Sequence, residues 1–361
     1  MGIRLVYGLK TTDLAYLSQF HPSRRLAEAS RLLDIDYNAT LFGADVSDGY
    51  SSGRLIDFCR SHTALLRGEL PERLYRDLEA EGIRVVNSAS SVGLAADKLR
   101  QVDFFRSVDV PHPLTDSVHH SVSPPFAMPF IVKPRFGRMG IGVRLIRTDA
   151  DWMAFLDGCA PEPVRQDGTS SGYTEPGGSG LSARKPGPDE SGWIAQEFLA
   201  ASHGRDVRFF FADFKENPDD HAATVKPREP AMHGNLALHN GLARSKQPEV
   251  PEPVRHTPRY KVVMRTSDGL VSNAHVGGTM ILYDPPEELC RMATRTFVAS
   301  GLVYGTVDFL FRDDAGTSFA ACEINSYPGF QEFERATGLD AAVAILRSAT
   351  ADPQGDTVHA F

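Results

Sequence analysis

The stretch ACEINSYPGF, residues 321–330, sets Glu323 and Asn325 two positions apart at the end of an apolar run. In a strand, positions i and i+2 share a face. A carboxylate and an amide are therefore aimed together at one point. A third oxygen-bearing group, Asp308, lies inside GTVDFLF (305–311), between apolar neighbours on an expected central strand. The intervening DDAGT (313–317) is a good turn, so the two runs are expected to pair as antiparallel neighbours. Taken alone, Asp308 also reads as a cap or half of a structural ion pair, since a buried carboxylate without a partner is costly. Taken together, Asp308, Glu323 and Asn325 offer only oxygen, which suits magnesium with places left for water and phosphate, and not zinc.

Lys133 follows three apolar strand residues in PFIVKP (129–134), where a lysine must reach solvent or meet an anion. The next segment, RFGRMGIG (135–142), carries Gly137, Gly140 and Gly142. Glycines let backbone N–H groups close on phosphate oxygens. The plainer alternative is a hairpin whose glycines serve turn geometry. The loop is not a P-loop: it lacks the GK[ST] ending and joins strand to strand. Histidines 203, 221, 233, 239, 256 and 275 show no i, i+4 helical pairing. Four of them fall in a polar, proline-rich stretch and read as solvated loop residues rather than metal ligands.

These groups need a frame. The chain has 361 residues, enough for two or three packed units, and ordinary apolar and charged fractions. A net charge of -8 without a basic run gives no reason to expect nucleic acid as partner. Cys59, Cys159, Cys290 and Cys322 have no CxxC spacing and read as reduced thiols of a cytoplasmic protein. MGIRLVYGL lacks the long apolar core of a signal peptide, and no eighteen-residue apolar run suggests a membrane span.

The first ninety residues alternate strand and helix: IRLVYGL, SRRLAEASRLL, DYNATLFG, SGRLIDFC, TALLRG, PERLYRDLEAEG, IRVVNS. That alternation predicts a small parallel α/β unit. AADKLRQVDFFRSVDV reads as one helix, and DADWMAFLDGC as another capped by Asp149 or Asp151. Residues 160–192 are dense in Gly, Ser and Pro and read as a flexible loop; 215–258 reads as a second polar insertion. WIAQEFL, DVRFFFADF, RYKVVMRT and LVSNAHVGG are expected strands, with helices over PPEELCRMATRTFVASGL and LDAAVAILRSA.

The ordered set ADKLR (96–100), IVKP (131–134), GRMGIGV (137–143), IAQEFL (194–199), GRDVR (204–208), SNAHVGG (272–278), TVDFLF (306–311) and EINSYPGFQEFERATGLD (323–340) resembles the ATP-grasp superfamily. Within it the chain looks like the RimK-type carboxylate–amine ligases. The likeness runs from about residue 65 to the C-terminal helix, interrupted by the two insertions, and is most specific at EINSYPGF…ATGLD.

The resemblance implies an α/β fold, α+β towards the C-terminus, with ATP held between two sheets. It divides the chain into an N-terminal pre-ATP-grasp α/β domain (1–95), a central subdomain (96–193) and a C-terminal subdomain (194–361). It implies that Lys98 and Lys133 neutralise ATP phosphates under a lid bearing Gly137, Gly140 and Gly142. Gln196, Glu197, Phe198 and Leu199 would form the adenine hinge, and Asp206 would hold ribose hydroxyls. Asp308, Glu323 and Asn325 would hold two magnesium ions, with manganese as the alternative. Arg208 and Arg265 are the candidates for steadying the transferring phosphoryl group. Asn273, Tyr327, Gly329 and Phe330 would border the substrate.

The implied reaction joins a small-molecule carboxylate to an amine, on amino-acid or peptide substrates, in a protein that forms dimers or tetramers. A regulatory nucleotide binder without turnover is the alternative from another class, and a cyclising ligase the alternative within enzymes. Val271 and Val276 stand where the glutamate ligases carry basic residues, which argues against glutamate as substrate.

Overall fold

The computed structural model describes residues 2–9, 11, 13–42, 52–118, 123–138, 140–158, 192–215, 258–270, 272 and 278–351. Nearly all of both insertions, together with Met139, Val271, Asn273 and Val276, lies outside the described residues.

The N-terminal alternation folds as expected. Strands β1 (Ile3–Gly8), β2 (Tyr37–Leu41), β3 (Thr63–Gly68) and β4 (Val85–Val86) form a parallel sheet in the order β2-β1-β3-β4. Helices α1 (Tyr16–Gln19), α2 (His21–Leu32), α3 (Ser52–Cys59) and α4 (Glu72–Ala80) make the crossovers. The near-continuous apolar runs of β1 and β3 fit a sheet covered on both faces. β1 and β3 end together at Gly8 and Gly68. Gly68 has φ +87°, and a Cβ there would sit 2.1 Å from the Gly8 carbonyl oxygen, so only glycine fits.

The expected single helix over 95–110 is two. Helix α5 (Ala89–Ala96) stops at Asp97, whose backbone is extended, and α6 (Lys98–Ser107) starts at once. Asp97 breaks the helix because its side chain accepts from the Leu99 N–H and so caps α6. A second, antiparallel sheet follows, in the order β5-β8-β6-β7: β5 (Thr115–Ser117), β6 (Phe130–Pro134), β7 (Arg144–Ile146) and β8 (Trp193–Glu197). Strand β8 thus belongs to the central sheet, although the expected boundary at 193/194 cuts through it. Helix α7 (Asp149–Leu156) covers this sheet with Trp152 and Phe155. Its N-cap is Thr148, not Asp149 or Asp151. Asp151 is instead the N3 partner of a capping box, because its longer reach back to the Thr148 N–H completes the pair.

The third sheet, fully antiparallel, runs β11-β10-β9-β12-β13: β9 (Arg205–Phe211), β10 (Tyr260–Thr266), β11 (Thr279–Leu282), β12 (Gly305–Phe311) and β13 (Phe319–Asn325). The segment LVSNAHVGG was expected to be strand. Its described residues, Leu270, Ser272 and Gly278, are not, and β11 begins at Thr279. On one face, Val207, Phe209, Phe211, Val307, Phe309 and Ile324 pack with Phe105 of α6 and with α8 (Glu287–Ser300). The opposite face is split. Phe210 and Val263 join the core shared with the first sheet, α2, α9 (Gln331–Thr337) and α10 (Ala341–Thr350). Further along, the same face carries charge. No helix of the described residues is long and apolar enough to cross a membrane.

Candidate nucleotide and metal site

The charged end of that face follows from strand register. Arg265 lies opposite Asp206, Arg208 opposite Asp308, and Asp308 opposite Glu323, with Asn325 opposite Thr306. The period of two in GRDVR, TVDFLF and CEIN turns every second residue to this side. Between Asp308 and Phe309 the register with β13 slips, so Cys322 has no opposite residue. Such a bulge bends a strand and re-aims its side chains.

Asp308 is 3% exposed and carries three charge-assisted hydrogen bonds. Arg208 donates from Nε to Oδ1 at 2.8 Å and from Nη2 to Oδ2 at 2.6 Å. Arg265 adds Nη2 to Oδ2 at 2.9 Å. Burial alone would raise the Asp308 carboxyl, but the two guanidinium groups outweigh it and hold it below the usual carboxylate range. Arg265 is itself gripped by Asp206, with both contacts at 2.6 Å. Burial would lower its guanidinium, yet Asp206 and Asp308 hold it above the ordinary arginine value.

The second sheet and the start of α6 bring the lysines. Lys133 is buried and donates to the Gln196 side-chain oxygen at 2.9 Å; Gln196 in turn donates to Thr115 at 2.9 Å. Lys98 donates to the Gly137 carbonyl at 2.7 Å and stands 3.8 Å from Glu323. Burial lowers the Lys98 pKa; Glu323 opposes that and Lys133 adds to it. Gly140 and Gly142 both have positive φ, at 70° and 81°. A Cβ on Gly142 would come within 2.9 Å of the Pro134 ring, so this glycine serves close packing as well as turn geometry.

Asp97 ties the two lysine segments together. It caps the helix that starts at Lys98 and binds Arg135, two residues after Lys133, at 2.7 and 2.6 Å. Asp97, Arg135, Arg67, Asn87 and Gln101 were not singled out in the sequence. A capping aspartate directly before Lys98 and an arginine inside the apolar TALLRG were the available signals. Gln101 accepts the Ile324 N–H at 2.8 Å and so fixes β13 between Glu323 and Asn325. Asn87 donates to the carbonyls of Tyr304 and Ser326, at 3.0 and 2.6 Å.

Other expected residues are placed differently. Both oxygens of Asp206 accept from Arg265, and one also accepts from Ser272, so the carboxylate orients an arginine in this structure. Phe330 is fully buried in the first core, with the Arg67 guanidinium 5.3 Å above its ring, and does not line a substrate surface. It is drawn in beside Phe333 of α9, which packs into the same core. Gly329 is exposed, with nothing within 4 Å of a Cβ position. Tyr327 is half-buried, and its hydroxyl has no hydrogen-bond partner among the described residues. Glu197 is half-buried, and its N–H pairs with the Leu114 carbonyl at 2.8 Å. Phe198 and Leu199 follow beyond the strand end, and Phe198 borders a cavity of about 530 Å³ with Pro129, Leu145 and His203. A second cavity, about 480 Å³ around His21, Arg25 and Glu334, lies away from the carboxylate row.

The donor set fits magnesium. Asp308, Glu323 and Asn325 are oxygen donors on paired strands, and the Asn325 amide nitrogen donates to Thr306 at 3.3 Å, which leaves its oxygen available.

Residues 262–349 match the family model of the RimK-like ATP-grasp domain. A probable alpha-L-glutamate ligase from Xanthomonas oryzae pv. oryzae (strain MAFF 311018) is 38% identical over 76 residues, 21% of this chain and 25% of the relative. The chain thus matches about a quarter of the length of its curated relatives. Among solved structures, D-alanine–D-alanine ligase from Bacillus anthracis, complexed with ATP, superposes with a TM-score of 0.54 at 13% identity. That match covers 92% of this chain and 88% of the other. The ATP-grasp ligase PsnB, complexed with a precursor variant, Mg and ADP, gives 0.56 at 12% identity, covering 97% of each chain. The chain has the ATP-grasp fold, and its residues 262–349 are similar to the RimK-like ATP-grasp domain.

Proposed function

We propose that this protein is an ATP-dependent carboxylate–amine ligase acting on amino-acid or peptide-like substrates. The observation that carries the reading is the facing of two sets of groups. Lys98 and Lys133 come from one side, and Asp308, Glu323 and Asn325, with Arg208 and Arg265 among them, from the other. Phosphoryl transfer asks the protein for positioning and charge neutralisation more than for covalent chemistry. The two lysines supply fixed positive charge for triphosphate oxygens. Arg208 and Arg265 are held in plane by carboxylates and present further donors to a transferring phosphoryl group. Asp308, Glu323 and Asn325 would hold magnesium, which when bound neutralises phosphate charge. The bound D-alanine–D-alanine ligase and PsnB structures named above support a substrate of amino-acid or peptide type.

In the proposed reaction a carboxylate oxygen takes the γ-phosphoryl group and ADP leaves. An amine then attacks the acyl carbon of the mixed anhydride. The C–N bond forms, the acyl C–O bond breaks, phosphate departs and the nitrogen loses a proton. The test is ADP release from the purified protein with ATP, magnesium and a panel of amino acids and dipeptides, with products weighed by mass spectrometry. Amide product and ADP in equal amounts are expected, and Glu323→Ala should abolish both. ATP binding without turnover on any pair would replace the ligase with a regulatory nucleotide binder.

A further inference from the structure

Arg138, in the glycine-bearing loop, sits over Tyr327, its guanidinium carbon 4.2 Å from the ring centroid. It donates no hydrogen bond and makes no ion pair among the described residues, although it is exposed. Stacking immobilises a guanidinium while leaving its N–H edges open in the plane. Its platform is incomplete in the same place, since the Tyr327 hydroxyl is buried without a partner. An unpaired buried hydroxyl and a guanidinium without a hydrogen-bond partner among the described residues, side by side, call for one shared acceptor.

The platform is fixed from behind. Arg67 is 1% exposed, and it donates to the Pro328 carbonyl at 2.7 Å and to the Tyr304 hydroxyl at 2.8 Å. The carbonyl next to Tyr327 is therefore anchored to the first sheet. The loop also divides its two neighbours. The Gly137 carbonyl faces Lys98 on the phosphate side, while the Arg138 side chain leaves toward Tyr327.

We propose that Arg138 and Tyr327 form a carboxylate-recognition corner for the substrate, a role separate from phosphate binding. A carboxylate fits because it is planar and accepts two parallel N–H bonds from a guanidinium edge, with a lone pair left for a phenol. The proposal rests on the ligase reading for the identity of its occupant as substrate. That carboxylate is either the one to be activated or a second one left intact.

The experiment loads the full-length protein with ADP and magnesium, then titrates succinate and its monoamide, succinamate, by calorimetry. Succinate is expected to bind, and Arg138→Gln should weaken it at least about tenfold, the loss of one charge-assisted pair. Tyr327→Phe, which keeps the ring, should weaken it by a smaller factor, and ADP affinity should stay within about twofold in both variants. Failure of the wild-type protein to bind either compound, or binding that Arg138→Gln leaves unchanged, overturns the corner. An equal loss of ADP affinity overturns it too, by making Arg138 a phosphate ligand. Because binding needs no turnover, a protein that binds succinate but never releases ADP from ATP would sink the ligase reading and leave the corner standing. With a turnover substrate, a fall in kcat for Arg138→Gln places the activated carboxylate at the corner, and a rise in KM alone places the second one there.

Discussion

Arg208 grips Asp308 with both ends of its fork, Nε to Oδ1 at 2.8 Å and Nη2 to Oδ2 at 2.6 Å. Any metal ion that takes Asp308 must compete with this pair and with Arg265 at 2.9 Å. Nucleotide phosphates would give the displaced guanidinium groups another acceptor. Losing a charge-assisted hydrogen bond costs about 1.5–3 kcal/mol, roughly tenfold or more in affinity. Manganese binding, followed by the paramagnetic resonance of the free ion, should therefore be at least about tenfold weaker without ADP than with it. Arg208→Ala should raise the nucleotide-free affinity. Equal affinity in the presence and absence of ADP would count against Asp308 as a ligand.

Asp97 should matter to nucleotide binding without touching nucleotide. It caps the helix that begins at Lys98 and fixes Arg135 next to the Lys133 strand. Asp97→Ala removes a cap worth about 1 kcal/mol and leaves Arg135 without its carboxylate. ADP affinity should fall roughly tenfold, the equivalent of about 1.4 kcal/mol. Calorimetry with ADP and urea unfolding, measured on the same preparation, would check both effects. A destabilised variant with unchanged ADP affinity would show that the lysines are positioned by something else.

Arg67 offers a different balance. Its guanidinium is buried, with no carboxylate partner among the described residues, between Tyr7, Tyr304, Pro328 and Phe330. Replacing a buried charge by an apolar side chain of similar size is often neutral or stabilising. Leaving the Pro328 carbonyl unsatisfied costs about 1–3 kcal/mol. Arg67→Met should thus change stability by no more than about 3 kcal/mol, yet raise the KM for the carboxylate substrate several-fold by freeing the Tyr327–Pro328 turn. Unchanged KM in a folded Arg67→Met protein would remove the positioning role.

How much of this was legible depended on which contacts are local. The period of two in TVDFLF and CEIN put Asp308, Glu323 and Asn325 on one face, and the short turn at 313–317 paired their strands. Lys133 could be read as needing a partner because it ends an apolar strand. The arginines could not be assigned to Asp308, because the contact joins strands 43 and 100 residues apart and depends on sheet order. For the same reason Asp206 read as a ligand for ribose, whereas register sets it against Arg265. Phe330 looked accessible after a Pro-Gly turn, but nothing in a turn says that the residue capping the next helix packs into the core. The split between α5 and α6 was legible in principle, since aspartate before a lysine-bearing helix start is a cap signal.

Acid should unfold the protein in two steps of slope, for reasons that differ in chemistry but share a sign. Burial lowers the pKa of His21, with Glu334 opposing it, so the unfolded chain binds this proton more readily. Stability then declines as pH falls below about 6.5, the unfolded value. Asp97 and Asp308 follow. Burial would raise each carboxyl, but Arg135 in one case and Arg208 with Arg265 in the other outweigh it and depress both. A depressed carboxyl contributes stability that is fully present above its unfolded value, about 3.9, and lost as pH falls through the folded one. Urea midpoints measured from pH 7.5 to 3 should therefore show a shallow decline through pH 6 and a steeper one below 4. His21→Gln should flatten the first region and leave the second. Asp97→Asn should flatten the second and lower the plateau at pH 7. A His21→Gln profile that parallels wild type between pH 7 and 5 would show that this histidine titrates alike in both states.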